Sequence, residues 1–478
     1  MPATMTATAP LARIFSLLGV LACALFLGAC AVGPDYVRPA MDLPVVYKEQ
    51  GPWKIATPGR IDSRQRWWEA YQDAVLNDLI DQANRANQNI RFAEAQYRQA
   101  QAAAAIAHAG LWPEVSGNAS RARSSNGAEN TYAAGLNASW EVDIWGRVRR
   151  LAEAGDAGSE AGAASLAAAR LSIQAALAQN YLQLRVTDLQ KDLYARTVAD
   201  YTRSLQLIRH QYDAGVALRS DVAQAETQLR SAQAQWIDLD ATRTQLEHAI
   251  AILIGKAPAA FTLAAQTTLQ ASMPSIPAGV PSDLLERRPD IANAERLAAA
   301  ANANIGVARA AWFPALTLSA AGGYSGSAFS QLFDTPGRVW SLGSALAALL
   351  FDGGARHARN DQARAAFDAA VATYKQTVLS GLQEVEDNLS TLRVLAQESQ
   401  VQDQAVKAAQ LSERLAMSQY QAGTSTYLSV LTTQAASLAN QRGAVQLLGR
   451  QLLASVSLIK AVGGGWHASD MNQAAANH

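Results

Sequence analysis

Two halves of this chain carry the same punctuation in the same order. Gln211-Tyr212-Asp213-Ala214-Gly215 returns 208 residues later as Gln419-Tyr420-Gln421-Ala422-Gly423. The apolar endings Leu253-Ile254-Gly255 and Ala461-Val462-Gly463 keep that offset, whereas Ile90, Glu94 and Pro113 answer to Ile291, Glu295 and Pro314 at an offset of 201. The register slips only between short alternating stretches, where loops belong. Solenoid repeats recur every 20–50 residues or so, which makes this a duplicated domain. Each copy is expected to hold a helix, a pair of strands and a long helical hairpin.

The N-terminus reads as an export signal. Arg13 precedes an apolar run from Ile14 to Phe26, too short for a membrane span, and small residues follow. Leu27-Gly28-Ala29-Cys30 resembles the bacterial lipoprotein box, whose cysteine becomes the lipidated first residue of the mature chain. Cys23 is a competitor, but cutting there would leave Leu25-Phe26-Leu27 exposed; an ordinary signal peptide with an incidental cysteine is the plainer alternative. Both cysteines of the chain lie in this leader, so stability has to come from buried surface or oligomerisation rather than a disulfide. Formal charge is zero and no long basic run occurs, which argues against nucleic acid as a partner. Beyond the leader no apolar stretch approaches the roughly 20 residues of a membrane helix. A membrane crossing is therefore expected to use strands.

The pattern divides the chain into a signal peptide over 1–29, a lipidated extended arm over 30–66, a first repeat over 67–256, a linker over 257–282, a second repeat over 283–463 and a tail over 464–478. A helix is expected from near Trp67 to Pro113. Two alternating segments follow; in the second, Tyr132, Ala134, Leu136, Ala138, Trp140 and Val142 face one way with a period of two. From about Val148 to Gln211 the chain lacks proline, and Tyr194, Val198, Tyr201, Leu205, Ile208 and Tyr212 are spaced by fours and threes, a heptad-like stripe. Gly215 fits a turn, and Ser220 or Asp221 fits the N-cap of a returning helix that reaches about Ile254. In the second copy Leu316 to Tyr324 and Trp340 to Leu350 alternate, Ala355 to Gln421 forms the second long helix, and Gly423 turns the chain back to about Val462.

Four strands cannot close a transmembrane barrel, and an open edge in hydrocarbon leaves backbone groups unsatisfied at several kcal/mol each. Apolar residues alternating with small polar ones, and aromatics near strand ends, read as a lipid-facing wall with a polar lumen. Three copies would supply twelve strands. The helices, Gln- and Ala-rich, would pack side by side into a hollow cylinder. The fold class expected is therefore an α+β membrane protein, each protomer giving four strands to a 12-stranded barrel above a helical barrel. A soluble sandwich with helical insertions and a plain coiled-coil rod are the competing architectures.

The residues resemble the TolC-type outer-membrane efflux factors, closest to the lipidated NodT-like branch. The likeness rests on Cys30-Ala31-Val32-Gly33-Pro34-Asp35-Tyr36, Trp67-Trp68, Asp283-Leu284-Leu285-Glu286-Arg287-Arg288-Pro289-Asp290-Ile291, Ala303-Asn304-Ile305-Gly306, Phe313-Pro314, Phe351-Asp352-Gly353-Gly354 and Gly463-Gly464-Gly465-Trp466, in that order. The resemblance implies a homotrimer in the outer membrane, docking onto a periplasmic adaptor and an inner-membrane transporter of the resistance-nodulation-division type. It also implies a closable tip at the two hairpin turns, Gly215 and Gly423. Its gate candidates here are Tyr212, Arg219, Asp221, Tyr420 and Tyr427. Ser429 and Thr432 stand where relatives often carry aspartate, so an acidic ring would rest on Asp221; the plainer role for Asp221 is a helix cap.

No enzyme constellation is visible: no His-Glu-x-x-His, no phosphate-binding Gly-Lys-Ser/Thr loop, no Gly-x-Ser-x-Gly elbow. The six histidines are scattered without ligand spacing and only six methionines occur, so neither a metal site nor a soft-metal relay is expected. No cofactor is expected beyond lipid on Cys30. The function expected is passive conduction of small molecules outward through an efflux assembly. A protein-secretion duct and a non-conducting structural lipoprotein are the alternatives.

Overall fold

The computed structural model describes residues 31–49, 66–124, 127–269, 273–274, 276 and 281–466. The signal peptide, Cys30, most of the linker and the tail beyond Trp466 lie outside the described residues.

A short 3-10 turn, Trp67–Tyr71, leads into α1 (Ala74–Ala86) and α2 (Gln88–Ala109), then β1 (Glu114–Ser124), β2 (Gly127–Val142), α3 (Arg147–Asp213) and α4 (Arg219–Leu253). The second half gives α5 (Leu284–Arg287), α6 (Pro289–Ala310), β3 (Ala315–Gly326), β4 (Arg338–Ala347), α7 (Ala355–Gln421) and α8 (Tyr427–Ala461). The duplication survives to the residue: α2 and α6 each have 22 residues, α3 and α7 each have 67, and α4 and α8 each have 35.

The single helix expected before Pro113 is instead broken twice. Asp73 and Asn87 are the cause, because short polar side chains hydrogen-bond nearby N–H groups and start helices rather than continue them. Asp73 Oδ1 accepts from the N–H groups of Val75 and Leu76 at 2.9 and 3.1 Å. Asn87 Oδ1 accepts from Asn89 and Ile90 at 2.9 and 3.1 Å, while its Nδ2 donates to the Leu253 carbonyl at 2.8 Å. The interruption thus ties the start of α2 to the end of α4. Strand β4 also stops early, at Ala347 rather than Leu350.

The chain forms two compact units, and each draws on both halves. One comprises residues up to 41, 96–163 and 293–375; the other comprises 42–95, 164–292 and 376–478. The first contains the sheet, antiparallel in the order β1-β2-β3-β4. Its register aligns like with like. Val115, Ala138, Ala320 and Leu342 stand in one row, and Gly117, Leu136, Gly322 and Trp340 in the next. The opposite face carries Ser116, Asn137, Ala321 and Ser341, and Asn137 bonds Asn118 at 2.8 Å. One face is therefore apolar across all four strands, yet Leu136, Trp340, Leu342 and Leu346 are exposed.

Aromatic groups mark both ends of the sheet. Tyr132 and Tyr324 meet Phe329 and Phe333 edge-on at one end, and Trp145 stacks on Phe313 at 4.6 Å at the other. Trp140, near that second end, donates its indole N–H to the Leu111 carbonyl. From Tyr132 to Trp140 the strand runs roughly 27 Å, comparable to the apolar band of an outer-membrane barrel, about 25 Å tall. In the same unit the arm crosses α6 where Gly33 meets Gly306; a Cβ on Gly33 would lie 2.5 Å from the Gly306 Cα. Arg150, almost fully buried, holds Asp35 and Glu153 at 2.7 Å each.

The second unit holds a conventional core, with Tyr71, Leu76, Ile80, Ile90, Leu177 and Tyr181 fully buried. Arg288, from the Arg287-Arg288-Pro289-Asp290 stretch, donates to Glu384 at 2.7 Å, to Asp290 at 2.6 Å and to the Ala461 carbonyl at 3.1 Å. One guanidinium thereby joins the start of α6 to α7 and to the end of α8. Its pKa is pushed up further by the two carboxylates, against the burial that opposes it. Contrary to the expectation that no helix would qualify, one window of α3 is apolar enough by length and composition to cross a membrane. Alanine supplies that hydropathy, and a third of the window is buried within the protein.

Asn87→Ala removes a cap and the tether to Leu253 together. It is expected to lower stability by about 1–2 kcal/mol, read as a lower urea midpoint of the helical circular-dichroism signal. An unchanged midpoint would show that the break between α1 and α2 is set elsewhere.

Candidate functional site at the paired hairpin turns

Both hairpins turn by the same backbone device. Gly215 donates to the Tyr212 carbonyl at 2.9 Å and Val216 to Gln211 at 2.8 Å; Gly423 donates to Tyr420 at 2.9 Å and Thr424 to Gln419 at 2.9 Å. These paired bonds are the Schellman arrangement, which satisfies the last carbonyls of a helix and needs a left-handed residue. Gly215 and Gly423 supply it, with φ of +73° and +75°. A Cβ at either would meet nothing within 4 Å, so the demand for glycine here is conformational and not one of space.

The two returning helices start differently. In α4 the N-cap is Leu218, not Ser220 or Asp221. Leucine has no side-chain acceptor, and Asp221, three residues on, reaches back to accept from the Leu218 N–H at 3.2 Å. That is the acidic half of a capping box, favoured further by the positive end of the helix dipole. In α8 the equivalent position is Ser429, whose carbonyl accepts from Thr432 and Thr433 at 3.0 and 2.9 Å. No acid stands there.

The hairpins meet over a common cluster. Tyr194, Tyr201, Leu205 and Ile208 of α3 pack with Ala225 and Leu229 of α4 and with Tyr427 and Val430 of α8. Tyr420 joins its edge, 5.6 Å from the Tyr427 ring, and donates its hydroxyl to Gln211 Oε1 at 2.6 Å. Of the five gate candidates, Tyr420 and Tyr427 are therefore brought together. Asp221 lies near enough that its charge acts on both phenols. Tyr212 and Arg219 are exposed on the turn, outside the cluster. Tyr427 is 3% exposed, so it serves the packing between hairpins within the protomer. Gln211 is the partner that pattern reading missed. Its signal was present: it opens the repeated motif, and its counterpart Gln419 is likewise followed by tyrosine and, three and four places on, by Ala-Gly.

Burial, then the neighbouring Tyr420, pushes the Tyr427 phenol up to about 12, and burial followed by the Asp221 carboxylate raises that of Tyr420. Among the described residues no three His, Cys, Asp or Glu side chains come together as a metal site. The cluster offers packing, side-chain hydrogen bonds at Tyr420, Tyr201 and Tyr194, and a nearby carboxylate. Those are parts of a joint rather than of a reaction centre.

Comparison with known proteins bears on the whole chain. The family model described as outer membrane efflux protein matches residues 79–256 and 280–464. The pyoverdine export outer membrane protein OpmQ of Pseudomonas aeruginosa is 34% identical over 466 residues, covering 94% of this chain and 97% of that protein. The toluene efflux pump outer membrane protein TtgC of Pseudomonas putida is 32% identical over 467 residues, covering 95% and 96%. Among solved structures, the outer-membrane channel OprN superposes with a TM-score of 0.86 at 31% identity, over 91% of this chain and all of that one. The open state of the Neisseria gonorrhoeae MtrE outer membrane channel gives 0.83 at 28% identity, over 91% and 98%.

The raised Tyr427 value sets a pH dependence. An unfolded phenol titrates near 10 and the native one near 12, so its contribution is complete below pH 10 and is lost as pH rises toward 12. Stability is expected to fall across that window, and Tyr427→Phe to flatten the fall in urea midpoints taken from pH 9 to 11.5. An equally steep fall in the variant would remove Tyr427 as its source.

Proposed function

The chain belongs to the outer membrane efflux protein family, and from that premise we propose that three copies assemble into a passive duct for small molecules. The observation that carries the trimer is the sheet. Its apolar face is uncovered, and its two outer strands each present an unpaired row of backbone groups. Hydrocarbon does not tolerate such an edge, so β4 of one copy pairs with β1 of the next. Three sheets of four strands close at twelve. The polar face of serine, asparagine and glycine then lines the lumen, and the helices of the three copies continue it as a second barrel.

A water-lined passage of that kind need not recognise its cargo. Relatives are described by unlike cargoes, pyoverdine in one and toluene in another, which supports a duct whose selectivity lies upstream. Energy is supplied by an inner-membrane transporter reached through a periplasmic adaptor. The transporter is assigned to the resistance-nodulation-division class on the family resemblance alone. Val216, Leu218 and Leu428, exposed at the hairpin turns, give the adaptor an apolar surface to dock on. Tyr212, Arg219 and Asp221 line the constriction at that tip, with Tyr420 and Tyr427 as the joint behind it. Three copies of Asp221 form its acidic ring.

Cys30 carries the lipid anchor. The first described residue, Ala31, lies against Gly146, where a Cβ would come within 2.8 Å of it, and Val32 donates to the Trp145 carbonyl at 2.9 Å. Trp145 in turn stacks on Phe313, and aromatic side chains of this kind sit at the level of a membrane surface.

The purified protein is expected to be a trimer by light scattering and to conduct ions in planar bilayers, with Asp221→Ala plus Tyr212→Ala raising conductance. A folded monomer that conducts alone would overturn the duct, and unchanged conductance in the double variant would remove those residues from the gate. Cys30→Ser is expected to abolish incorporation of labelled palmitate in cells; label persisting in the variant would place the lipid elsewhere.

A further inference from the structure

The apolar side of the sheet carries charge at one end only. Strand alternation puts Arg121 and Arg123 of β1 on that side, in the rows of Tyr132 and Asn130, and Arg338 of β4 there too, in the row of Tyr324. No other described residue of that face is charged. All three arginines are exposed, and among the described residues no carboxylate pairs with any of them, although Glu129 and Asp334 lie nearby in sequence. Arg121 is held in position, its guanidinium 5.6 Å over the Tyr132 ring and donating to Asn130 Oδ1 at 3.4 Å. The four helices that join the sheet, α2, α3, α6 and α7, all do so at the opposite end. In an outer membrane the arginines therefore stand at the outer leaflet.

The loop between β3 and β4 leans over this same side. Phe329 meets the Tyr132 ring edge-on at 5.8 Å and Phe333 the Tyr324 ring at 5.5 Å, yet the two phenylalanines are 71% and 69% exposed. Beside them runs a groove of about 700 Å³, lined by Ala119, Leu136, Tyr324, Phe333, Arg338 and Trp340. Its walls are apolar and its one charge is the Arg338 guanidinium. A cation on the lipid side of a barrel is tolerated near the surface and penalised toward the midplane. Arg338 stands one row inward of Tyr132, where an anion at the same depth would satisfy it. An apolar groove with guanidinium groups at its mouth fits an amphiphile with an anionic head.

We propose that this face binds a phosphorylated glycolipid of the outer leaflet, with its phosphates on Arg121, Arg123 and Arg338 and an acyl chain in the groove. The proposal rests on the barrel reading above, which turns this face toward lipid. Arginine suits the head because its planar fork takes two phosphate oxygens at once, which a lysine cannot do. The three arginines occupy rows spread over roughly 14 Å along the strands, a span that suits a head bearing more than one phosphate. Phe333 and Trp340 border the tail. A lipid seated there pins the β3–β4 loop against the outside of the barrel and away from the exit.

The full-length protein, purified in detergent, is titrated with bis-phosphorylated lipid A, and bound lipid is counted by native mass spectrometry. The wild type is expected to bind it, and to bind the same lipid stripped of both phosphates at least about tenfold more weakly, the effect of losing a hydrogen bond to a charged group. Arg121→Gln with Arg123→Gln and Arg338→Gln is expected to bring the phosphorylated lipid down to that weaker level without changing the trimer mass. Arg338→Lys, which keeps the charge and loses the fork, is expected to fall between. Phe333→Ser is expected to weaken both lipids alike. Equal binding of the two lipids by the wild type, or a trimeric triple variant that binds undiminished, would overturn the site and leave the barrel standing. Should the triple variant fail to assemble, the wild-type comparison and Arg338→Lys decide. A wild-type monomer would overturn the barrel reading itself.

Discussion

A backbone N–H or C=O has nowhere to turn in hydrocarbon except to another backbone, and that demand organises the rest of this molecule. Within the chain, β2 and β3 satisfy it on both sides, while β1 and β4 do so on one. The matched rows across the strands make the sheet a wall with a greasy side and a wet side, but only closure makes the wall tolerable in a membrane. Closure in turn brings the helices of several copies together. The helices then need faces that meet their neighbours repeatedly around a ring, which is what a duplicated hairpin supplies.

The duplication was legible because its markers are chemically stringent. Glycine at a left-handed turn, proline after a helix and period-two alternation leave few substitutes, so the strands and both hairpins could be placed to within a few residues. The two breaks before α2 were not legible. Asp73 and Asn87 occur in a run that keeps helical spacing, and their capping geometry depends on partners far along the chain: the Tyr181 hydroxyl donates to Asp73 at 2.6 Å, and the Leu253 carbonyl receives Asn87. Spacing cannot report a bond made across 166 residues.

The tip was half legible for a similar reason. The motif named Tyr420 and Tyr427, but not that one is a hydrogen-bond donor at the edge and the other a buried core ring. Asp221 looked like a cap and proved to be one by a longer reach than expected, from the third residue of the helix. Its charge still falls on the phenols behind it. A carboxylate that braces a helix start and also polarises a tyrosine pair couples the order of the turn to the joint between hairpins. The second hairpin, with serine in that place, lacks this coupling, so the two halves of a sequence repeat need not respond alike.

The bareness of β4 has a consequence for how the protein is made. All ten of its residues are exposed in the single chain, along an edge that will accept any passing strand. A single copy therefore carries an adhesive margin and an oily flank until that margin is paired. Pairing of the margin and burial of the flank are thereby coupled, since hydrocarbon tolerates the second only once the first is complete.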